Sequence, residues 1–98
     1  MTDLLTDHQI DDELGGVPRW TRVASEIHGS FRAGSFVGAL AFVNAVGALA
    51  ESAGHHPDID IRYDRVNLSL STHDAGGLTG KDFSLARQID IAAAGLVD

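Results

Sequence analysis

The 98-residue chain is 44% hydrophobic and has no cysteine, which suits one small core and excludes disulfide staples, iron–sulfur clusters, thiolate zinc sites and cysteine nucleophiles. Seven Lys and Arg against fourteen Asp and Glu leave a net charge of −7. The basic residues are scattered, so a nucleic-acid or anionic-membrane partner, which draws its affinity from clustered cations, is not expected.

The acidic start, Met1 to Gly15, has no Lys or Arg, the reverse of a signal peptide. Thr6 reads as the N-cap of a helix over Asp7 to Leu14, closed by Gly15-Gly16, with acids early where the helix dipole favours them. Trp20 and Arg22, then Ile27, Gly29 and Phe31, suggest two short strands and a hairpin. Ser35 caps the strongest helix, Phe36 to Ala53, which Gly54 ends. Phe36, Leu40, Val43, Gly47 and Ala50 share one face at helical spacing, widened by Val37, Ala41 and Ala48. Such an apolar helix needs cover on more than one side, and a second subunit can supply it. Its longest apolar stretch, the 15 residues Phe36 to Ala50, is short of the roughly 20 that span a bilayer. A cytoplasmic protein is expected.

Ile59, Ile61 and Tyr63 alternate with polar residues, as do Val66, Leu68 and Leu70, and Asp64-Arg65 separates the two runs. They read as an antiparallel pair with one buried face. After Gly76-Gly77, Thr79 and Asp82 form a capping box with Asp in place of Glu. Phe83, Ala86, Ile89, Ala93 and Leu96 line a final helix. The order helix-strand-strand-helix-strand-strand-helix predicts a single α+β domain over residues 1–98 with an antiparallel sheet.

The chain has five histidines. His8 and His28 stand alone in polar surroundings and read as surface residues. His55-His56 follow a helix stop and precede Pro57, and His73 ends the last strand, so these three sit on loops at element ends. His56 is eight residues before Asp64, and His73 is eight after Arg65. In a hairpin centred there, the two face each other at the open end. Three neighbouring imidazoles suit either a metal ion or metal-free proton transfer. Adjacent histidines tend to point apart and no HExxH pair is present. Spacing alone leaves proton transfer, metal and plain structural histidines open.

Glu51, His55-His56-Pro57, Tyr63, His73 and Asp82 stand at spacings that resemble the signature of the pterin-4a-carbinolamine dehydratases. The words Leu70-Ser71-Thr72-His73-Asp74 and Gly77-Leu78-Thr79 also fit. The likeness runs from about Trp20 to Ile91 and leaves the acidic segment 1–16 outside. The resemblance implies a four-stranded antiparallel sheet with three helices packed on one face, assembled as a homodimer or homotetramer. It implies dehydration of 4a-hydroxytetrahydrobiopterin to quinonoid dihydropterin, in tetrahydrobiopterin recycling, with no cofactor and no metal.

Water leaves a carbinolamine when the departing hydroxyl gains a proton and a ring nitrogen loses one, a task histidines perform near neutral pH. His55 and His73 are the expected acid–base pair and His56 the pterin holder, with exchange between His55 and His56 open. Glu51, Pro57, Tyr63 and Asp82, with Trp20, make the substrate-binding set that the resemblance implies. Each has a plainer role too: a solvated helix-end acid for Glu51, backbone shape for Pro57, core packing for Tyr63 and Trp20, and a first-turn helix acid for Asp82. Gly76-Gly77 lacks the context of a phosphate loop. Two other readings stand beside the enzyme. One is a non-enzymatic dimerisation or assembly partner on the same fold, which has no reason to keep the histidines. The other is a small metal-dependent hydrolase.

Overall fold

A computed structural model describes residues 3–97. Helix α1 (Asp7–Leu14) opens on the expected cap, with Thr6 and Gln9 in a reciprocal capping box,. It is tied down by Ile10, which is buried, and by the Arg22–Asp7 and Arg87–Glu13 ion pairs.

Strands β1 (Trp20–Val23), β2 (Glu26–Arg32), β3 (Asp58–Arg62) and β4 (Arg65–Leu70) form one antiparallel sheet in the order β1-β2-β4-β3. Helices α2 (Phe36–Ala53) and α3 (Gly80–Ala93) complete the chain. The α+β order read from the sequence is the order found. Alternation sends Ile27, Gly29 and Phe31 of β2, and Val66, Leu68 and Leu70 of β4, into the core beneath the helices,. Gly29 is there for space. A Cβ on it would lie 2.9 Å from the Trp20 ring, which stacks edge-on against Phe31 at 5.8 Å.

Besides the face of β3 expected to be buried, where Ile59 is exposed and Ile61 only partly buried, two larger expectations need correction. The β3–β4 hairpin turns at Tyr63-Asp64, with Arg62 opposite Arg65, not at Asp64-Arg65. Tyr63 therefore leaves the apolar side of its strand. It sits in the turn with a left-handed φ of 53° and 71% of its surface exposed. A two-residue hairpin needs a positive φ at its first central position, and the strand pairing on either side imposes it.

The second correction concerns the face of α2. Its buried residues are Ala39, Phe42, Val46 and Ala50, while Phe36, Val37 and Leu40 of the expected stripe face outward. A helix apolar all round has no polar side to set its rotation, so packing against the sheet and α3 decides it. At 18 residues α2 is long and apolar enough to cross a bilayer, yet it packs one face on the domain core. The α3 face is as expected except Leu96, which lies beyond the helix and is exposed.

Candidate active site

Helix α2 ends in the two hydrogen bonds of a Schellman motif: Gly54 N–H to Glu51 O at 3.2 Å and His55 N–H to Ala50 O at 3.1 Å,. Gly54 makes the turn in the left-handed region (φ 63°), which costs a glycine least. The motif fixes the direction in which His55 leaves the helix. From there its Nε2 reaches Asp82 Oδ1 on the first turn of α3, 2.6 Å away.

Asp82 is fully buried. Its second oxygen, Oδ2, accepts from the Thr79 backbone N–H at 2.9 Å and from the Thr72 hydroxyl at 2.8 Å. The Thr72 and Thr79 hydroxyls are 2.7 Å apart, and Thr79 Oγ1 accepts from the Lys81 N–H at 3.2 Å. Thr72 has one hydroxyl proton, committed to Asp82, so the Thr79 hydroxyl is the donor between the two. Every donor in this buried chain thus points toward Asp82. The carboxylate is an acceptor at Oδ2 and turns Oδ1 to the imidazole.

His55 lines a cleft of about 240 Å³ together with His56, Ser71, Thr72, His73 and Lys81. A second hollow of about 330 Å³, also lined by His55 and Lys81, lies between the end of α2 and the start of α3. The side chain of His55 is only 11% exposed. Among the described residues no buried side-chain nitrogen or oxygen lacks a partner. Among the described residues Nδ1 of His55 has no hydrogen-bond partner, so that atom is not fully enclosed.

The other two histidines are held differently. His56 Nε2 lies 3.0 Å from Glu51 Oε2, with both side chains largely in solvent, so Glu51 orients His56 and not His55. His73 opens a short 3-10 turn, His73–Ala75, and is exposed. That turn is closed by Thr72, whose N–H donates to Gly77 O at 2.9 Å and whose carbonyl accepts from Ala75 and Gly76, each at 3.0 Å.

The three histidines share one cleft as loop residues. The pairing that brings them together differs from the spacing argument, because strand register places Asp58 opposite Ser69 and runs out before His56. Among the described residues, no three of His, Cys, Asp and Glu are arranged to hold a metal ion. Trp20 and Tyr63 lie outside the cleft. Trp20 is buried and donates from Nε1 to Asp90 Oδ1 at 2.9 Å. Pro57 is half-buried beside His56 without lining it. Thr72 and Lys81 were not singled out from sequence. A threonine at a strand end and a lysine on an exposed first turn carry no signal of their own.

The family model described as Pterin 4 alpha carbinolamine dehydratase matches residues 3–92. The chain belongs to that family. The match includes α1, which the sequence resemblance left outside. A protein named "Putative pterin-4-alpha-carbinolamine dehydratase" from Roseiflexus castenholzii is 61% identical over 90 residues, covering 92% of this chain and 97% of that one. One of the same name from Nocardia farcinica is 56% identical over 89 residues, covering 91% and 94%. Among solved structures, a transcriptional coactivator/pterin dehydratase from Brucella melitensis superposes with a TM-score of 0.89 at 30% identity, over 93% of this chain and 99% of that one. A pterin dehydratase-like protein identified as a RuBisCO assembly factor in the alpha-carboxysome gives 0.62 at 28% identity, covering 76% and 87%.

Proposed function

We propose that this pterin dehydratase family member is a cytoplasmic 4a-hydroxytetrahydrobiopterin dehydratase that works by metal-free histidine acid–base catalysis in tetrahydrobiopterin recycling. The observation that carries the reading is the buried Asp82 behind His55 at the wall of a cleft that also holds His56 and His73.

Asp82 accepts at Oδ1, so the His55 Nε2 carries the proton in that hydrogen bond, and Nδ1 presents its lone pair to the cleft. His55 Nδ1 takes the proton from a ring nitrogen of the pterin. The C4a–O bond breaks, and the departing hydroxyl takes a proton from His73 and leaves as water. A carbon–nitrogen double bond remains in the ring. Afterwards His55 holds the extra proton and His73 lacks one, and exchange with water at the open cleft resets both. His56, oriented by Glu51, holds the pterin, and Lys81 brings a positive charge to the same wall. Each positioned proton transfer contributes about 10²–10⁴ in rate. The reaction moves two protons and calls on no redox change, so no cofactor is invoked.

The outward apolar face of α2, with Phe36, Val37 and Leu40, supports association with a second copy as a homodimer or homotetramer, since contiguous exposed apolar surface marks an interface. The alternative reading is assembly without catalysis, in the manner that the RuBisCO assembly factor's name describes for that protein. The complete histidine set, with a buried carboxylate spent on one member, favours the enzyme.

The test is dehydration of freshly generated 4a-hydroxytetrahydropterin, followed by ultraviolet absorbance on chelator-treated protein. Chelator-resistant acceleration that collapses in His55→Ala is the expected result. A rate equal to the uncatalysed one overturns the enzyme reading and leaves the assembly role.

A further inference from the structure

We infer that Thr72 is a positioning residue that sets both halves of the acid–base site, orienting His55 through its side chain and Asp82, and His73 through its own backbone. The inference rests on the acid–base reading of His55 and His73.

The side-chain half is a matter of donor count. Asp82 Oδ2 has two donors, the Thr79 N–H at 2.9 Å and the Thr72 hydroxyl at 2.8 Å. The first belongs to the capping box of α3 and fixes the carboxylate only at its own helix. The Thr72 hydroxyl comes from a different segment, the one after β4. Together they prevent the carboxyl plane from rotating, and so aim Oδ1 at His55 Nε2. Thr72 is itself held, because its hydroxyl accepts from Thr79, which is fully buried. A buried hydroxyl chain of this kind is costly to leave half-satisfied, which makes its geometry single-valued.

The backbone half is independent of the hydroxyl. The N–H and C=O of Thr72 close the loop onto Gly77, Ala75 and Gly76, and the next residue is His73. One residue therefore ties the segment bearing the proposed acid to the carboxylate that orients the proposed base. The titratable and charged groups around His55 are Asp82 and Lys81 of α3, His56 of its own loop, and His73 and Asp74 of the 3-10 turn. Among the described residues, Asp82 alone makes a hydrogen bond to the ring.

Thr72→Val keeps the side-chain shape and the backbone half and removes only the hydroxyl. Its kcat is expected to fall about tenfold with KM within about twofold, because misplacement of a catalytic group costs turnover before binding. Thr72→Ser is expected to restore kcat to within about twofold. A folded Thr72→Val with wild-type kcat, or a loss confined to KM, overturns the inference. Failure of Thr72→Ser to restore turnover does the same.

Imidazole nitrogen NMR on the wild type needs no variant to fold. In the expected spectrum the neutral His55 imidazole carries its proton on Nε2, the nitrogen that faces Asp82 Oδ1. A neutral His55 with its proton on Nδ1 overturns the inference. This spectrum reads the position of His55 whether or not the wild type accelerates dehydration, so failure of the functional reading is seen separately.

Discussion

His55 and Asp82, separated by 27 residues in the chain, meet through a 2.6 Å contact between Nε2 and Oδ1, and the carboxylate is fully buried. Burying a carboxylate is costly unless its oxygens are hydrogen-bonded, and here both oxygens are. The acid is thus too enclosed to touch a substrate, and its effect reaches the cleft through the imidazole.

Asp82→Asn keeps the volume and reverses part of the donor pattern. With the amide oxygen accepting from Thr72 and Thr79, the NH₂ faces His55 Nε2, which must then accept. The imidazole proton moves to Nδ1 and the lone pair leaves the cleft. We expect kcat to drop about 10²–10⁴-fold with little change in KM, measured by steady-state kinetics well below the variant's Tm. A variant with near-normal turnover rules out this role for the carboxylate.

His73 and His56 should separate in the same assay. His73→Ala is expected to lower kcat by about 10²-fold or more, the lower end for a positioned proton donor, with KM nearly constant. His56→Ala and Glu51→Ala are expected to raise KM together, because Glu51 holds His56 at 3.0 Å, and to leave kcat largely intact. A loss of kcat in His56→Ala, with His55→Ala raising KM instead, exchanges the roles of His55 and His56.

Gly54→Ala tests the helix end that aims His55. The position has a φ of 63° and nothing within 4 Å of an added Cβ, so the cost is conformational and not steric. A left-handed alanine costs about 1–2 kcal/mol, read as a lower midpoint in urea unfolding. Turnover should fall as well, since the His55–Ala50 hydrogen bond of the Schellman motif loosens. An unchanged midpoint contradicts the conformational argument.

Light scattering after gel filtration tests the association proposed for α2. The wild type is expected to run as a dimer or tetramer, and Leu40→Glu, which puts a charge on the outward face, as a smaller species that still folds. A wild-type monomer removes the proposal.

Much of the architecture was legible in the chain. The Thr6 and Ser35 caps, the capping box of Thr79 and Asp82, the Gly54 stop and the alternating runs of β2 and β4 are local signals. Each depends on residues within one turn or one strand, so they hold regardless of the rest of the fold. The histidine cluster was legible for a related reason: chain breaks at Gly54 and Gly76-Gly77 place His55, His56 and His73 at element ends. The rotation of α2 was not legible, because a helix apolar on all sides offers no local preference. The hairpin turn shifted by one residue because Tyr63 gave the alternation one more matching position, while the strand register decided otherwise.

The sequence by itself determined the elements, their order and the pool of residues from which a site is built. Only the tertiary structure decided which histidine owns the buried acid. Glu51 stands four residues before His55, yet it meets His56, and His55 pairs with the buried Asp82 of α3. The physical reason is that local patterns report hydrogen bonds made within a turn or two. A buried carboxylate is satisfied by whatever donors the packed helices and loops bring to it, and for Asp82 those are Thr72 and His55 from segments remote in sequence and Thr79 from its own cap.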